Sequence, residues 1–192
     1  MATSMEHFIW QGYFPGSGYA FAEEQQGLNT DQTVDILLGR KLTKAPKRVV
    51  ITALSEGELP DLLESGWSAK LVSQKLKKVL ERSCPDCIQY IPAKLEEYPD
   101  EKYWIANVLT SVEVVDREKS KITTSPRAPH AIRKVNKLVL KPIADDAPAL
   151  FRMGELPPEF MVSDSLRKEL EAASSTAGRF IKVKDYRRPP KS

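Results

Sequence analysis

Histidine and cysteine are scarce: the 192 residues hold two of each, His7, His130, Cys84 and Cys87. An acid–base centre built on histidine therefore has almost no material. A structural zinc site takes four Cys or His ligands and would need all four residues at once, yet neither histidine stands in a paired spacing. Glycine-rich phosphate loops, the Gly-x-Ser-x-Gly elbow and His-Glu-x-x-His are also missing, which removes the usual cofactor and nucleophile signatures. No apolar run approaches the roughly 20 residues that span a bilayer, so no membrane association is expected. The opening Met-Ala-Thr-Ser-Met-Glu-His-Phe-Ile-Trp has no basic n-region and no long apolar h-region. No secretory leader is read there, and a cytoplasmic location is the expectation.

Excess charge of one sign is lacking too. The formal net charge is +3, but residues 179 to 192 hold six Lys or Arg and one acid, which leaves 23 basic and 25 acidic residues in positions 1 to 178. A nucleic-acid footprint spreads Lys and Arg over one face, interleaved with aromatics, and the near-neutral body shows no such excess. The tail from Lys184 to Ser192 reads as a solvated terminus, and no nucleic acid is expected as a partner.

Against this plain background the chain repeats itself. Val72, Ser73, Leu76, Lys78, Leu80, Glu81 and Ile91 recur without a gap as Val162, Ser163, Leu166, Lys168, Leu170, Glu171 and Ile181, and Tyr90 recurs as Phe180. Seven of twenty positions agree, where average composition gives about one. Each copy runs from apolar residues into a serine whose hydroxyl can accept from the free amides of a helix's first turn. Leu76, Val79 and Leu80 fall at i, i+3 and i+4, and Leu166, Leu170 and Ala173 at i, i+4 and i+7, so each helix has one apolar stripe. A strand follows each, around Tyr90-Ile91 and Phe180 to Val183. Ninety residues is too long a spacing for a solenoid repeat and two copies are too few. A duplicated half-domain remains, the alternative being a chance likeness between two capped amphipathic helices.

The other elements read unevenly. His7 to Phe14 is aromatic and fits an edge strand, with a turn at Pro15-Gly16-Ser17-Gly18. Residues 19 to 48 read weakly, and Val49-Val50-Ile51-Thr52 is a β-branched strand. Pro60 and Gly66 bracket what looks like one short helical turn. Tyr103 to Val115 should supply one long or two short central strands, Lys121 to Pro129 a loop, and Val135 to Leu140 and Leu150 to Met153 further strands. The reading is α+β, with a mixed or mainly antiparallel sheet, short helices and two duplicated strand-helix-strand halves. Residues 1–48 are assigned to an N-terminal strand and linker region packed on the main domain. Residues 49–186 form the main domain, with its repeat at 72–91 and 162–181, and 187–192 form a basic tail.

Cys84-Pro85-Asp86-Cys87 is the one motif with chemical promise, since such a pair can cycle between dithiol and disulfide or hold half a zinc site. Its position after a helix, in the loop to the next strand, is the reverse of the helix N-terminus that activates such thiols. The pair reads as structural, with a thiol oxidoreductase or a zinc-binding protein as the first alternative function and a nucleic-acid-binding protein using the basic tail as the second. Glu96/Glu97 and Asp145/Asp146 sit beside prolines in loops, where solvated carboxylates are the plain reading. Trp10, Trp67 and Trp104 read as core anchors, an exposed one marking a partner surface.

Several of these segments occur together in a known family. Pro60-Asp61-Leu62-Leu63 ahead of Leu71-Val72-Ser73, and Tyr103 to Val115 running into Asp116-Arg117-Glu118-Lys119-Ser120, resemble the central block of a family of bacterial polymorphic-toxin immunity proteins, immunity family eleven. Leu138-Val139-Leu140, Leu150-Phe151-Arg152, Val162-Ser163-Asp164-Ser165-Leu166 and Gly178-Arg179-Phe180 are similar to its C-terminal half. The resemblance covers roughly residues 45 to 185. Some relatives carry two Cys-x-x-Cys-Gly motifs; this chain has one Cys-x-x-Cys, with Ile88 in place of the glycine, and no metal or cofactor is assigned. The resemblance implies a non-catalytic protein that binds one cognate toxin and blocks it in interbacterial competition. The acidic connector Glu96, Glu97, Asp100 and Glu101, flanked by Trp104, is the expected partner-binding surface, because it can steer a basic toxin.

Overall fold

Ser73 and Ser163, ninety residues apart, each stand between a strand and a ten-residue helix. The computed structural model describes the backbone of residues 6–125 and 128–188, and the side chains of the same residues outside 125–131. In chain order the elements are β1 (His7–Gln11), β2 (Ala22–Gln26), α1 (Thr30–Leu37), β3 (Val49–Leu54), β4 (Leu62–Glu64), β5 (Lys70–Ser73), α2 (Gln74–Ser83), β6 (Ile88–Leu95) and β7 (Tyr103–Val108). They continue with β8 (Ser111–Val112), β9 (Lys121–Ser125), β10 (Ala128–Lys137), β11 (Leu150–Met153), β12 (Leu156–Ser163), α3 (Asp164–Ala173), β13 (Arg179–Lys182) and a 3₁₀ turn, Val183–Asp185. The fold is α+β, with a six-stranded sheet ordered β2-β3-β6-β7-β5-β4, a five-stranded sheet ordered β13-β1-β12-β11-β8, and a β9-β10 ribbon.

The sequence repeat is also a topological one. In the larger sheet β5 and β6 both run antiparallel to β7, which lies between them, so β5-α2-β6 is a split βαβ unit. In the smaller sheet β12-α3-β13 is the same unit, split by β1. The registers agree residue by residue. Val72 and Ser73 face Trp104 and Tyr103, while Val162 and Ser163 face Phe8 and His7. Tyr90 and Ile91 face Ala106 and Ile105, while Phe180 and Ile181 face Trp10 and Ile9. The flanking strands match as well, Leu62, Leu63 and Glu64 on Val72, Leu71 and Lys70, and Leu150, Phe151 and Arg152 on Val162, Met161 and Phe160. A one-residue slip would turn every side chain to the other face, so a common register on both flanks marks two copies of one unit. Only the middle strand differs in origin, following its unit as β7 and preceding it as β1.

The two helices pack on each other in a core drawn from both units. Leu76, Val79 and Leu80 of α2 and Leu166 and Leu170 of α3 meet Phe8, Trp10, Val72, Phe160 and Val162 there. Each helix carries polar residues outside, tied by Lys77–Glu81 on α2 and by Arg167–Glu171 (2.6 Å) on α3. Ser163 accepts from the Leu166 N–H (3.3 Å); Ser73 holds the same N-cap position without a side-chain cap bond. Glu169 of α3 crosses to Arg82 and Ser83 of α2, both at 2.8 Å. The opposite face of the larger sheet encloses Ala20, Ile36, Ile51, Leu63, Leu71 and Ile105. That sheet curls so far that its edges meet, through an Ala22–Ser65 bridge and the Gly66 N–H donating to the Ala22 carbonyl (3.0 Å). The far face of the smaller sheet packs Ile9, Phe151, Met153 and Met161 against Ile132 and Val135 of the ribbon and against Tyr186.

Four expectations are corrected. His7–Gln11 is no edge strand: Phe8 and Trp10 enter the helix-side core and Ile9 the opposite one, so both of its faces are buried in mid-sheet. Pro60 to Gly66 contains strand β4 and no helical turn, because Leu62 and Leu63 must fill cores on opposite faces and only a strand alternates that way. Lys121 to Pro129 overlaps the β9-β10 hairpin, whose β-branched Ile122, Thr123 and Thr124 pair with Val135, Lys134 and Ile132. The tail is docked as far as Arg188. Tyr186 is 1 % exposed and donates to Glu159 (2.9 Å), and the Arg188 and Val135 backbones bond each other reciprocally at 3.0 Å; residues 189–192 lie outside the described residues. Within the weakly read 19–48, α1 opens with a capping box in which Asn29 and Gln32 each accept the other's N–H, a signal visible in Asn-x-x-Gln.

Leu76→Ala and Leu166→Ala should each cost about 2–5 kcal/mol in urea unfolding, since both are fully buried at equivalent helix positions. A cost below about 1 kcal/mol at either site would show that its helix is not part of the shared core. Tyr186→Phe should cost about 1–3 kcal/mol by leaving Glu159 without its hydroxyl donor. Unchanged stability would mean that the tail is not docked in solution.

Candidate functional site

The chemistry that distinguishes the molecule gathers where the two units meet. β4 ends on Glu64 and β5 begins on Lys70, and a turn stapled by Ser65, whose Oγ donates to the Ala69 carbonyl (2.8 Å) and accepts from its N–H (2.9 Å), joins them. Register sets the two residues opposite each other, and Lys70 Nζ meets Glu64 Oε1 at 2.5 Å with Lys70 4 % and Glu64 6 % exposed. The Gly12 N–H donates to the same carboxylate (2.7 Å), and a Cβ at Gly12 would stand 2.5 Å from Glu64 Cγ, so only glycine lets the chain come that close. At the matching position of the second unit Arg152 faces Phe160. Lys70 Nζ lies 5.2 Å and Arg152 Cζ 4.8 Å from the centre of the Phe160 ring, so cations from both units converge on one aromatic at the joint.

A cleft of about 810 Å³ opens beside this joint, between the seam of the curled sheet and the β1, β12 and β13 strands of the other. Its polar lining includes Glu64, Lys70, Glu159, Arg179, Asp185 and Arg187. Glu159 accepts from Gln11 Nε2 (2.7 Å) and from Tyr186, whose hydroxyl pKa is raised by burial and by that carboxylate. Phe14 is 46 % exposed on the rim, with the Arg179 guanidinium 5.8 Å from its ring centre. Ser68 in the wall holds φ at 64°, a left-handed conformation that costs a non-glycine residue free energy.

A second polar joint ties the units on the α2/α3 side. Asp61 Oδ2 accepts from Ser174 Oγ (2.5 Å), and the Asp61 N–H donates to Thr176 Oγ1 (3.0 Å). Burial raises the Asp61 pKa, and hydrogen bonding led by Ser174, with the Lys75 ammonium, brings it below the ordinary carboxylate value. Gly178 closes the same loop at φ 100°, its Cα so near the Gln11 carbonyl that a Cβ would fall 2.6 Å away.

The acidic connector lies in the β6-β7 hairpin, with Glu96, Glu97, Asp100 and Glu101 all exposed. Glu97 accepts from the Leu54 N–H (3.1 Å) and so caps the end of β3. Trp104 is not gathered with them: it packs on the helix-side core with Lys77 Nζ 5.1 Å above its ring. Trp10 is fully buried, donates to the Ala177 carbonyl (2.7 Å) and stacks on Phe180. Trp67 is partly buried.

Cys84 and Cys87 are free thiols at the C-terminal end of α2. Burial, then Cys87 and Glu169, push the Cys84 thiol up to about 12, which works against the thiolate that exchange or metal binding requires. Among the described residues no three His, Cys, Asp or Glu side chains come together as a metal site.

The model of an immunity protein family, Imm11, matches residues 11–185, nearly the whole chain. The chain belongs to that family. No curated protein matches it. The matched span takes in β5-α2-β6, β7 and β12-α3-β13, and begins at Gln11, the last residue of β1. Among the described residues no helix is long and apolar enough to cross a membrane. Of the expected partner surface, the four acids of this immunity-family chain stand together and Trp104 stands apart; the cleft was not anticipated. Its residues are scattered from Gln11 to Arg188, and nothing local in Glu64-Ser65-Gly66-Trp67-Ser68-Ala69-Lys70 marks either end as buried.

The raised Cys84 pKa has a direct readout. At pH 8 an aromatic disulfide reagent should leave Cys84 unmodified until the protein unfolds, because the thiol stays protonated and buried. Rapid labelling of Cys84 in the folded protein would restore the thiol-exchange reading.

Proposed function

We propose that this protein binds one cognate antagonistic toxin and neutralises it stoichiometrically, protecting the cell that makes it. Family membership over residues 11–185 carries the reading. The architecture supports it physically: two interlocked copies of one unit, joined through Arg152, Asp61 and Glu169, make a rigid body that loses little entropy when it binds. Inhibition of this kind requires a complementary surface and no turnover.

The exposed carboxylates Glu96, Glu97, Asp100 and Glu101 are proposed as the surface of first encounter, attracting a basic region of the toxin over several ångströms before contact. Trp104 has a smaller part in this proposal, since its ring is already covered by Lys77.

The partner is the toxin encoded by the neighbouring reading frame. Its activity should fall linearly with added protein to one equivalent and return when the complex is dissociated. Substoichiometric, irreversible loss of toxin activity would instead indicate catalysis. Glu96→Lys with Glu101→Lys spares the Glu97 cap on β3 and should slow association about tenfold at low salt, with a weaker salt dependence. An unchanged association rate would remove this surface from the encounter.

A further inference from the structure

Three charged side chains that line the cleft, Lys70, Glu64 and Glu159, are each more than nine-tenths buried. Removing a charge from water is costly, and a joint between two sheets needs shape rather than ions, so buried charge facing an open cavity calls for an explanation. The hydrogen bonding of these groups is uneven. Glu64 is held by Lys70 and the Gly12 N–H, and Glu159 by Gln11 and Tyr186. The carboxylates are thus engaged by the protein itself. Lys70 has three N–H donors and spends one on Glu64, beside the face of Phe160.

The rim has the same bias. Arg179 and Arg187 are exposed and Arg188 half-buried, and among the described residues none of the three forms an ion pair. Arg187 donates to backbone carbonyls of its own turn, and Arg179 is held over Phe14, which keeps its planar fork at the opening. Asp185 is the one acid beside them on the rim. The cavity thus presents three arginines and Lys70, while Glu64 Oε1 and both oxygens of Glu159 are engaged by the protein and Asp185 is the exposed carboxylate among them. Its volume of about 810 Å³ exceeds what a single small anion fills and suits several side chains of an extended chain.

We propose that this cleft is a docking site for an acidic peptide segment of the protein partner, whose carboxylates meet Arg179 and Arg187 at the rim and Lys70 inside. This rests on the reading that the protein works by binding another protein, and it adds a chemical demand: the partner must present acidic residues to the cleft. The connector borders one end of β5, where Ser73 pairs with Tyr103, and the cleft borders the other end at Lys70. A partner that meets both is basic toward the first and acidic toward the second.

The test needs no toxin. The full chain is titrated into fluorescein-labelled hexaglutamate and, separately, labelled hexalysine, at low salt, and binding is read by anisotropy. Hexaglutamate should saturate at one equivalent and bind at least tenfold more tightly than hexalysine. Arg179→Gln with Arg187→Gln changes two exposed side chains and should weaken hexaglutamate at least tenfold with the melting temperature unchanged, whereas Lys41→Gln with Lys44→Gln, away from the cleft, should leave it unaltered. Millimolar free glutamate or inorganic phosphate should displace little of the peptide. Equal binding of the two peptides, indifference to the arginine substitutions, or full displacement by either small anion would overturn the proposal. If the peptide result fails while one equivalent of protein still silences the toxin, the immunity reading stands and the cleft loses its role. If the peptide binds as stated and the toxin is untouched, the cleft assignment stands and the immunity reading falls.

Discussion

Arg152 is 2 % exposed and has no carboxylate partner among the described residues, yet its guanidinium ties α1, β7 and β12 to its own strand. Its nitrogens donate to the carbonyls of Ile36 (3.0 Å), Leu37 (2.9 Å), Val108 (3.3 Å) and Pro157. The first two are carbonyls of the last turn of α1, where the helix dipole places negative charge. Gly39 makes the approach possible. It closes the helix at φ 69°, its N–H bonds the Ile36 carbonyl and the next N–H bonds the Asp35 carbonyl, and a Cβ there would meet Arg152 Nε at 2.8 Å. Burial lowers the Arg152 pKa only to about 10, so the group remains a cation at neutral pH, stabilised by dipoles in place of an anion. A cation so placed fixes the first unit against the second, because its donors reach α1 and β7 while its backbone belongs to β11.

That joint explains how two matching units form one body. Equivalent positions of the two units carry Glu64 opposite Lys70 and Arg152 opposite Phe160, and these unlike residues complement each other across the interface. Phe160 accepts both cations, and Asp61 on the other side receives the hydroxyls of the second unit's loop. Where the helices meet, matching leucines suffice, and those positions are alike as Leu76 and Leu166, and Leu80 and Leu170.

This division also decides what could be read from the sequence. Capped helices with a leucine stripe are local patterns, so α2, α3 and their ninety-residue spacing were legible, as was the placement of Cys84 after a helix. The middle strands were not, because nothing in His7–Gln11 says that it completes a unit whose other strands begin at residue 156. β4 was misread as helical because Pro60 and Gly66 imitate a helix's first position and its terminator, while the decisive feature, two adjacent leucines needed by cores on opposite faces, exists only in the folded chain. The docked tail had one signal, Tyr186 as the last aromatic before two prolines, outweighed by the surrounding charge. The cleft escaped for the same reason as the middle strands: its walls are charged residues that look like surface until both sheets are assembled.

On the proposed function, a preformed, doubly braced scaffold meets its partner without refolding. Hydrogen–deuterium exchange of the full chain, free and bound to the proposed partner toxin, tests this most directly. New protection should fall on the cleft and connector segments, residues 12–14, 65–69, 96–102 and 179–188, while amides of α2, α3 and the central strands exchange slowly and equally in both states. Large gains of protection throughout α2, α3 and β7 would contradict the account, since they would mean that the partner completes a fold the chain cannot hold by itself.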